Sequence, residues 1–333
     1  MGSMSTQPAT LARTQREPGS FRDRGNRVFY HAGAVFRGLN ERGLKEWETL
    51  SSTSFFQHFM GSGKLVHTEQ VAATETPELS QAEQWSAVLT HQRIPFISYP
   101  YEWPFGMLQD AALLQLELQL AALDEDMTLK DASPFNIQWV GTSPVFIDIP
   151  SFERLAPGEP WVGYEQFCQL FLYPLFLQAY KDIPFQPWLR GCIDGITSQD
   201  CYHLMSMRDL IRPGVFLNVA LQAWARARYA RASQDIKKDL REAGFHKALI
   251  KTNVTRLRKT VHQLSWKRTR SPWSHYTSDN SYTDASREQK AAFVREVVGS
   301  RLWSAGSTRG TLSGCSARTV VSSVANSLSA TRV

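Results

Sequence analysis

Three polar side chains stand at spacings that could support phosphoryl-transfer chemistry. Asp131 and Asn136 lie five positions apart in LKDASPFNIQW, and Asp148 follows in PVFIDIPSFE. In protein kinases an Asp of the catalytic loop accepts the proton of the substrate hydroxyl, an Asn five residues later holds magnesium, and a further Asp also holds the metal. The order therefore predicts Asp131 as a catalytic base, with Asn136 and Asp148 as metal ligands.

An alternative role for the same residues is to cap and brace a polar loop, because Asp and Asn side chains bond readily to nearby backbone. Other parts of a kinase site are not evident in the sequence. HAGAVFRG (31–38) is not a G-x-G-x-x-G loop, and no lysine can be assigned to the phosphates. GSGK (61–64) lacks the first glycine of a P-loop and the Ser or Thr that should follow its lysine. Both interpretations stay open.

The neighbouring segments predict the elements that would position these residues. RVFYHAGAVFRGL predicts a β-hairpin that turns at Ala32-Gly33, and Asn40 is placed to cap a following helix. Residues 105–127 repeat apolar side chains at steps of three and four, which predicts a long helix packed on a core. PVFIDI predicts a short buried strand, and the chain from Trp161 to Trp266 is expected to be mostly helical.

This order of elements predicts an α+β protein with a two-lobed, kinase-like fold and a mostly helical large lobe. We expect a disordered leader over residues 1–18 and a small lobe of strands and a helix over 19–100. A kinase-like large lobe with basic helices is expected over 101–280, followed by a last segment over 281–333. RIPFISYPYEWPF would connect the two lobes.

Composition and cysteine spacing narrow the class of protein. The chain has 333 residues, of which 42% are hydrophobic, enough for a sizeable core. Its four cysteines include no C-x-x-C pair, so neither a zinc site nor a disulfide scaffold is predicted. The N-terminus lacks an apolar signal region, and the apolar stretch 167–180 is too short to cross a bilayer. We expect a cytoplasmic protein without a membrane span.

Positive charge is concentrated in one part of the chain. Residues 221–270 hold fourteen Lys and Arg against three acidic residues, although the whole chain carries only +6. Interleaved Leu, Ile and Val favour amphipathic helices with a solvated basic face. The alternative is a surface that binds an anionic partner. Nucleic acid is not expected as that partner.

Three blocks of sequence resemble a bacterial family described as class I S-adenosylmethionine-dependent methyltransferases, which includes a rhizobial host-specific nodulation protein. The blocks are ISYPYEWPFGMLQDAALLQLELQLAAL, MTLKDASPFNIQWVGTSPVFIDIPSFE and PWVGYEQFCQLFLYPL. The resemblance extends over about residues 19–300. It implies a protein that modifies an unidentified small-molecule signal and in which a kinase-like region precedes a Rossmann-like methyltransferase domain.

The same resemblance implies a cofactor turn near the C-terminal end of the sequence. RLWSAGSTRGTLSG stands at the matching place, so Gly306 and Gly310 are the implied residues for S-adenosylmethionine. The acidic residue before the first glycine is absent, and 23 residues after Gly310 are too few for a Rossmann-like domain. We therefore expect a truncated or frame-shifted chain that carries a remnant of this domain and does not bind the cofactor. The alternative is a natural low-complexity tail.

Three functions follow from these observations. The first is a nodulation-related protein of the methyltransferase class, with this chain supplying mainly the kinase-like region. The second is a small-molecule phosphotransferase that uses ATP and Mg²⁺ at Asp131, Asn136 and Asp148. The third is a non-catalytic, pseudokinase-like interaction module.

Overall fold

The structure is a computed structural model that describes residues 14–20, 25–72, 85–224, 247–266 and 283–306. The chain divides into two compact units, residues 1–267 and residues 268–333. The first unit holds the β-sheets and most of the described helices. Asp131, Asn136 and Asp148 all belong to it.

A five-stranded antiparallel sheet opens the first unit, with strand order β1-β2-β3-β5-β4. Its strands are β1 (Gln15–Arg16), β2 (Asn26–His31), β3 (Ala34–Leu39), β4 (Thr68–Val71) and β5 (Ala87–His91). The predicted hairpin is β2–β3, and Ala32 and Gly33 form its turn with φ of 49° and 81°. Positive φ at both central residues gives the tight turn whose twist matches the flanking strands. The sheet begins inside the segment predicted as a leader, because Gln15 pairs with Tyr30.

Two helices follow the hairpin, α1 (Glu41–Ser51) and α2 (Ser54–Gly61). Asn40 caps α1 as predicted, since its side chain accepts a hydrogen bond from the Gly43 N–H at 2.9 Å. The helical stretch then breaks, because the Thr53 hydroxyl and N–H both donate to the Leu50 carbonyl. Helix α2 then begins at Ser54, where Glu125 accepts hydrogen bonds from the N–H groups of Ser54 and Phe55.

The long predicted helix is α3 (Phe105–Asp124), which lies in the hydrophobic core and is buried on most sides. It is followed by two small antiparallel pairs, β6 (Met127–Leu129) with β9 (Phe152–Arg154) and β7 (Ile137–Val140) with β8 (Ser143–Phe146). The first three residues of the predicted strand PVFIDI lie in β8, and two of them, Val145 and Phe146, are buried. Short 3-10 turns stand at Pro100–Glu102, Pro134–Asn136 and Ile149–Ser151.

The remainder of the first unit is mostly helical where it is described, as predicted. Its helices are α4 (Tyr164–Phe167), α5 (Tyr173–Lys181), α6 (Gln186–Gly191), α7 (Ser198–Leu204) and α8 (Lys247–Gln263). A π-helical turn, Cys168–Leu172, joins α4 to α5, and the Tyr173 N–H donates to the Cys168 carbonyl. Pro174 follows directly and has no N–H to continue an α-helical ladder, which accounts for the wider turn. The stretch 167–180 is the buried core helix that its apolar sequence predicted.

The second unit contains α9 (Asp284–Gly306), and the Thr283 hydroxyl accepts a hydrogen bond from the Ser286 N–H near its start. The mixture of antiparallel sheet and helices confirms the predicted α+β class. The two-lobed, kinase-like detail and the predicted domain boundaries stay predictions. Within the described ranges, no helix combines the length and apolar character that a membrane span needs.

Candidate functional site

The two candidate metal ligands are held at opposite ends of one hairpin. Asn136 ends the turn before β7, and Asp148 follows β8, so the hairpin returns the chain to its starting point. Gly141 forms the tip with φ of 62°, a left-handed conformation that favours glycine. The Ile147 N–H donates to the Asn136 carbonyl at 2.9 Å, which fixes the two ends side by side.

Ser151 links the two side chains. Its hydroxyl donates to Asp148 Oδ2 at 2.6 Å, and Asn136 Nδ2 donates to Ser151 Oγ at 3.4 Å. Because the single hydroxyl proton points to the carboxylate, Ser151 Oγ can only accept from Asn136, which assigns the amide orientation. Ser151 is fully buried, so the central hydroxyl of this chain is shielded from water, whereas the Asp148 side chain is 29% exposed.

Asp131 is positioned by contacts to its own loop. Its carbonyl accepts a hydrogen bond from Gln115 Nε2 of α3 at 3.1 Å, and the next residue is held by Gln166, whose Oε1 accepts from the Ala132 N–H at 2.7 Å. Asp131 lines a cavity together with Ile149 and Pro150, the residues that follow Asp148. Ser151 therefore joins Asn136 to Asp148, and Asp131 lines the cavity with Ile149 and Pro150; the catalytic and metal roles of the three residues stay predictions.

The cavity has a volume of about 580 Å³ and mixes apolar and charged walls. It lies between the ends of β2 and β3, helix α1, and the segments around Asp131 and Ile149. The charged and amide side chains that line it are Asn26, Asn40, Arg42, Glu46, Lys130 and Asp131. The apolar side is formed by Leu39, Trp47, Leu50, Leu89, Ile149, Pro150 and Phe152. An apolar floor with a few polar groups is the usual character of a small-molecule site.

Arg37 is a residue of the candidate site that the sequence alone missed. It lies on β3, and its Nη2 contacts Asp148 Oδ1 at 3.4 Å while the Arg37 side chain is only 11% exposed. Its Nη1 donates to Asn26 Oδ1 at 2.6 Å, and its Nε donates to His91 Nε2 at 3.3 Å. A charged residue inside the strand pattern of AVFRGL is the one signal that could have drawn attention to it.

His91 on β5 completes the polar network on the other side of Arg37. Its Nε2 faces the Arg37 guanidinium, which can only donate, so this nitrogen must be unprotonated. Its Nδ1 lies 2.9 Å from Thr68 Oγ1, and that hydroxyl donates to the Val66 carbonyl. The imidazole proton therefore sits on Nδ1. Burial, followed by the positive charge of Arg37, lowers the pKa of His91 to about 3, so the ring is neutral.

Of the two glycines implied for S-adenosylmethionine, the structure describes Gly306 and does not describe Gly310. Gly306 is the last residue of α9, so residues 301–306 are helical where the resemblance implies a strand and a turn. Gly310 lies outside the described residues, as does the rest of the tail. Their assignment to the cofactor stays a prediction that the described residues do not support.

The basic segment 221–270 is described only at its two ends. Helix α8 is amphipathic as predicted, with Ile250, Val254, Leu257 and Val261 buried. Two of its lysines pair with acids at the C-terminal end of α3, Lys247 with Asp126 at 2.5 Å and Lys251 with Asp124. Residues 225–246 and 267–270 lie outside the described residues. An anionic partner for this segment stays a prediction.

The described residues show neither a metal cluster nor an activated buried cysteine. Over the described ranges, no group of three or more His, Cys, Asp and Glu side chains is arranged to hold a metal ion. Cys168 and Cys201 are buried free thiols, and Cys192 is an exposed one. Burial raises the pKa of Cys168 to about 12, which makes its thiol a packing group. Cys315 lies outside the described residues.

The fold and site define an α+β protein with a buried polar network between its antiparallel sheet and the Asp148 segment. No protein-family model matches the chain. The chain is 32% identical over 293 residues to the nodulation protein NoeA of Rhizobium meliloti (strain 1021), and it is related to that protein by sequence. The match covers 87% of this chain and 60% of NoeA, so the chain spans about 60% of the length of that relative. The resemblance to a rhizobial nodulation protein is thereby confirmed, while the methyltransferase class stays a prediction.

Proposed function

We propose that this chain acts in nodulation, and that residues 26–266 contribute a kinase-like module that works without phosphoryl transfer. The nodulation role follows from the relationship to NoeA, which extends over most of this chain. Because the chain spans about 60% of NoeA, the activity of the whole relative is not carried over with it.

The observation that carries the kinase-like module is the chain of contacts Asn136–Ser151–Asp148 at the base of the β7–β8 hairpin. A catalytic-loop Asp, an Asn five residues on and a later Asp are the parts that kinases place around their metals. The five-stranded sheet supports the comparison, since kinases carry a basic residue on their third strand, before the helix that follows it. Arg37 stands on β3, and α1 comes next in the chain.

The contacts of Asp148 favour a module without phosphoryl transfer. Its Oδ1 faces the Arg37 guanidinium, and its Oδ2 accepts the Ser151 hydroxyl proton. Mg²⁺ prefers several oxygen ligands at about 2.0–2.1 Å in an octahedral arrangement. A carboxylate already engaged at both oxygens has fewer lone pairs left for a metal, and the Asn136 Nδ2 that donates to Ser151 cannot serve as an oxygen ligand.

A second candidate is an ATP- and Mg²⁺-dependent phosphotransferase, favoured by the position of Asp131 on the wall of a cavity of about 580 Å³. A base there could accept the proton of a hydroxyl substrate. This candidate requires Arg37 to leave Asp148 when the metal binds.

We propose methyl transfer as an activity of the family that this chain resembles, and not as an activity of this chain by itself. We expect the isolated chain not to bind S-adenosylmethionine, because residues 301–306 continue a helix and do not form the turn that would approach the cofactor.

The nodulation role is tested by expressing this chain in a Rhizobium meliloti strain that lacks NoeA and scoring the nodules on its host plants. We expect a changed nodulation outcome that an empty vector does not produce. An outcome equal to the vector on every host would count against the proposal.

The chemistry is tested separately on the purified chain by calorimetric titration and by assay for transfer from radiolabelled ATP. We expect no binding of S-adenosylmethionine and no transfer. Turnover that disappears in Asp131→Asn would establish the phosphotransferase instead, and tight binding of S-adenosylmethionine would overturn the expectation for methyl transfer.

A further inference from the structure

The guanidinium of Arg37 is the cation that lies against Asp148. Its three nitrogens are spread over three acceptors, Asn26 Oδ1, His91 Nε2 and Asp148 Oδ1. The first two acceptors belong to β2 and β5, the strands on either side of β3. The guanidinium is therefore held by its own sheet and presented to the Asp148 segment.

We propose that Arg37 is a built-in counter-ion that takes the position of a divalent cation at Asp148, so that this site works without Mg²⁺. The inference rests on the kinase-like module proposed above and names what replaces its metal. On this proposal, Arg37 stands at Asp148 in place of the metal that the sequence predicted for Asn136 and Asp148.

The charge of this counter-ion is permanent. An arginine side chain stays protonated at every pH at which proteins fold, and it matches a carboxylate better than a lysine does. His91 cannot take over as a cation, because burial and the neighbouring Arg37 keep it neutral. Arg37 is thus the cationic side chain that contacts Asp148 in the described part of the chain, with a contact at 3.4 Å.

The orientation of the remaining polar groups agrees with this role. Ser151 gives its proton to Asp148 and receives one from Asn136, so the amide presents a donor to the chain of contacts. A metal ion would need oxygen lone pairs from both residues. A divalent ion next to Asp148 would also be repelled by the fixed guanidinium.

The test measures the binding of Mn²⁺, a paramagnetic substitute for Mg²⁺, to the purified full chain by electron paramagnetic resonance. The variants are wild type, Asp148→Asn, Arg37→Met and the double variant. We expect wild type and Asp148→Asn to bind Mn²⁺ equally weakly. Removing the like charge in Arg37→Met should raise the affinity by about tenfold or more. That gain should disappear in the double variant.

Two results would overturn the proposal. One is binding of Mn²⁺ by wild type that Asp148→Asn removes, and this comparison decides the matter even if Arg37→Met does not fold. The other is a folded Arg37→Met, verified by circular dichroism, that gains no Mn²⁺ affinity. Arg37→Lys is the matched control, since it keeps the charge and should gain none. The nodulation assay does not depend on Mn²⁺ binding, so failure here is distinguishable from failure of the proposed function.

Discussion

Arg37 and Asp148 lie 111 positions apart in the chain, and their side chains meet at 3.4 Å. The contact joins β3 of the five-stranded sheet to the segment that follows the β7–β8 hairpin. Arg37 is 11% exposed and Asp148 29% exposed at the side chain, so water screens the pair only in part. The contact is therefore an energetic link between the sheet and the candidate site.

Double-mutant coupling should reveal that link. Arg37→Met, Asp148→Asn and the combination are expected to show a coupling free energy of about 1 kcal/mol, because each partner loses a partly buried opposite charge. Urea unfolding of the four proteins provides the measurement. The exposed pair Arg42–Glu46 of α1 is the control, with an expected coupling of about 0.3–0.5 kcal/mol. Additive effects of Arg37→Met and Asp148→Asn would contradict the prediction.

His91 should make the stability of the protein depend on pH below neutrality. The pKa of His91 is about 3 in the folded chain, against 6.5 for an ordinary histidine. Between these two pH values the ring is protonated in the unfolded chain and neutral in the folded chain. Stability from the neutral ring is present above pH 6.5 and is lost as pH falls from 6.5 toward 3. The loss is about 1.4 kcal/mol per pH unit, or about 2 kcal/mol at pH 5.

The measurement is urea unfolding at pH 7 and at pH 5, where few carboxylates have begun to protonate. His91→Gln keeps an acceptor for Arg37 and a donor for Thr68 but cannot titrate, so we expect it to lose this pH dependence. His67→Gln changes an exposed histidine and should retain the wild-type dependence. Equal pH dependence in wild type and His91→Gln would show that the ring is not held neutral.

Sequence patterns found the parts of the structure that local rules control. Alternating side chains around Ala32-Gly33 predicted the β2–β3 hairpin, and the position of Asn40 predicted a helix cap. PVFIDI predicted a short buried strand, and its first three residues lie in β8 with Val145 and Phe146 buried. Each of these signals lies within a few residues of the feature that it specifies.

The parts that were missed depend on contacts between distant residues. The sequence around Arg37 does not predict that its side chain contacts Asp148. The sequence around Ser151 does not predict that its hydroxyl bridges Asn136 and Asp148. The short strand β1 was placed in a leader because two residues carry too little periodicity to detect. Residues 31–38, whose glycines do not match a phosphate loop, hold the turn of the β2–β3 hairpin and most of β3.

Gln138 on β7 should control the order of the connector near Ser98. Its side chain is 4% exposed, its Oε1 accepts from the Ser98 N–H at 3.0 Å, and its Nε2 donates to the Ser98 carbonyl at 3.1 Å. Gln138→Leu would leave both backbone groups without these partners. Since Ser98 is half-buried and water can reach it in part, we expect a cost of about 1–2 kcal/mol.

The connector should also open locally in that variant. Hydrogen exchange followed by mass spectrometry should show faster exchange in peptides covering 93–103, with little change over α3. Gln57→Leu changes an exposed glutamine of α2 and is the control, which should leave exchange over 93–103 at the wild-type rate. Unchanged exchange over 93–103 in the leucine variant would mean that Gln138 does not hold the connector.

Gln115 and Gln119 of α3 are two buried glutamines whose hydrogen bonds to residues 128–131 can be compared. Both are 0% exposed and lie one helical turn apart. Gln119 uses both ends of its amide, donating to Thr128 Oγ1 at 2.9 Å and accepting from the Leu129 N–H at 2.8 Å. Gln115 donates to the Asp131 carbonyl, but its Oε1 has no hydrogen-bond partner among the described residues.

Substitution by methionine, which has a similar shape, should therefore affect the two positions unequally. Gln119→Met leaves the buried Leu129 N–H unpaired and should cost about 2 kcal/mol. Gln115→Met loses one hydrogen bond but also removes an unpaired oxygen, so its cost should be at most about 1 kcal/mol. Urea unfolding at pH 7 compares them directly. An equal cost would mean that the Gln115 oxygen is satisfied, and the Asp131 loop would then be held by a stronger contact than its single hydrogen bond from Gln115 indicates.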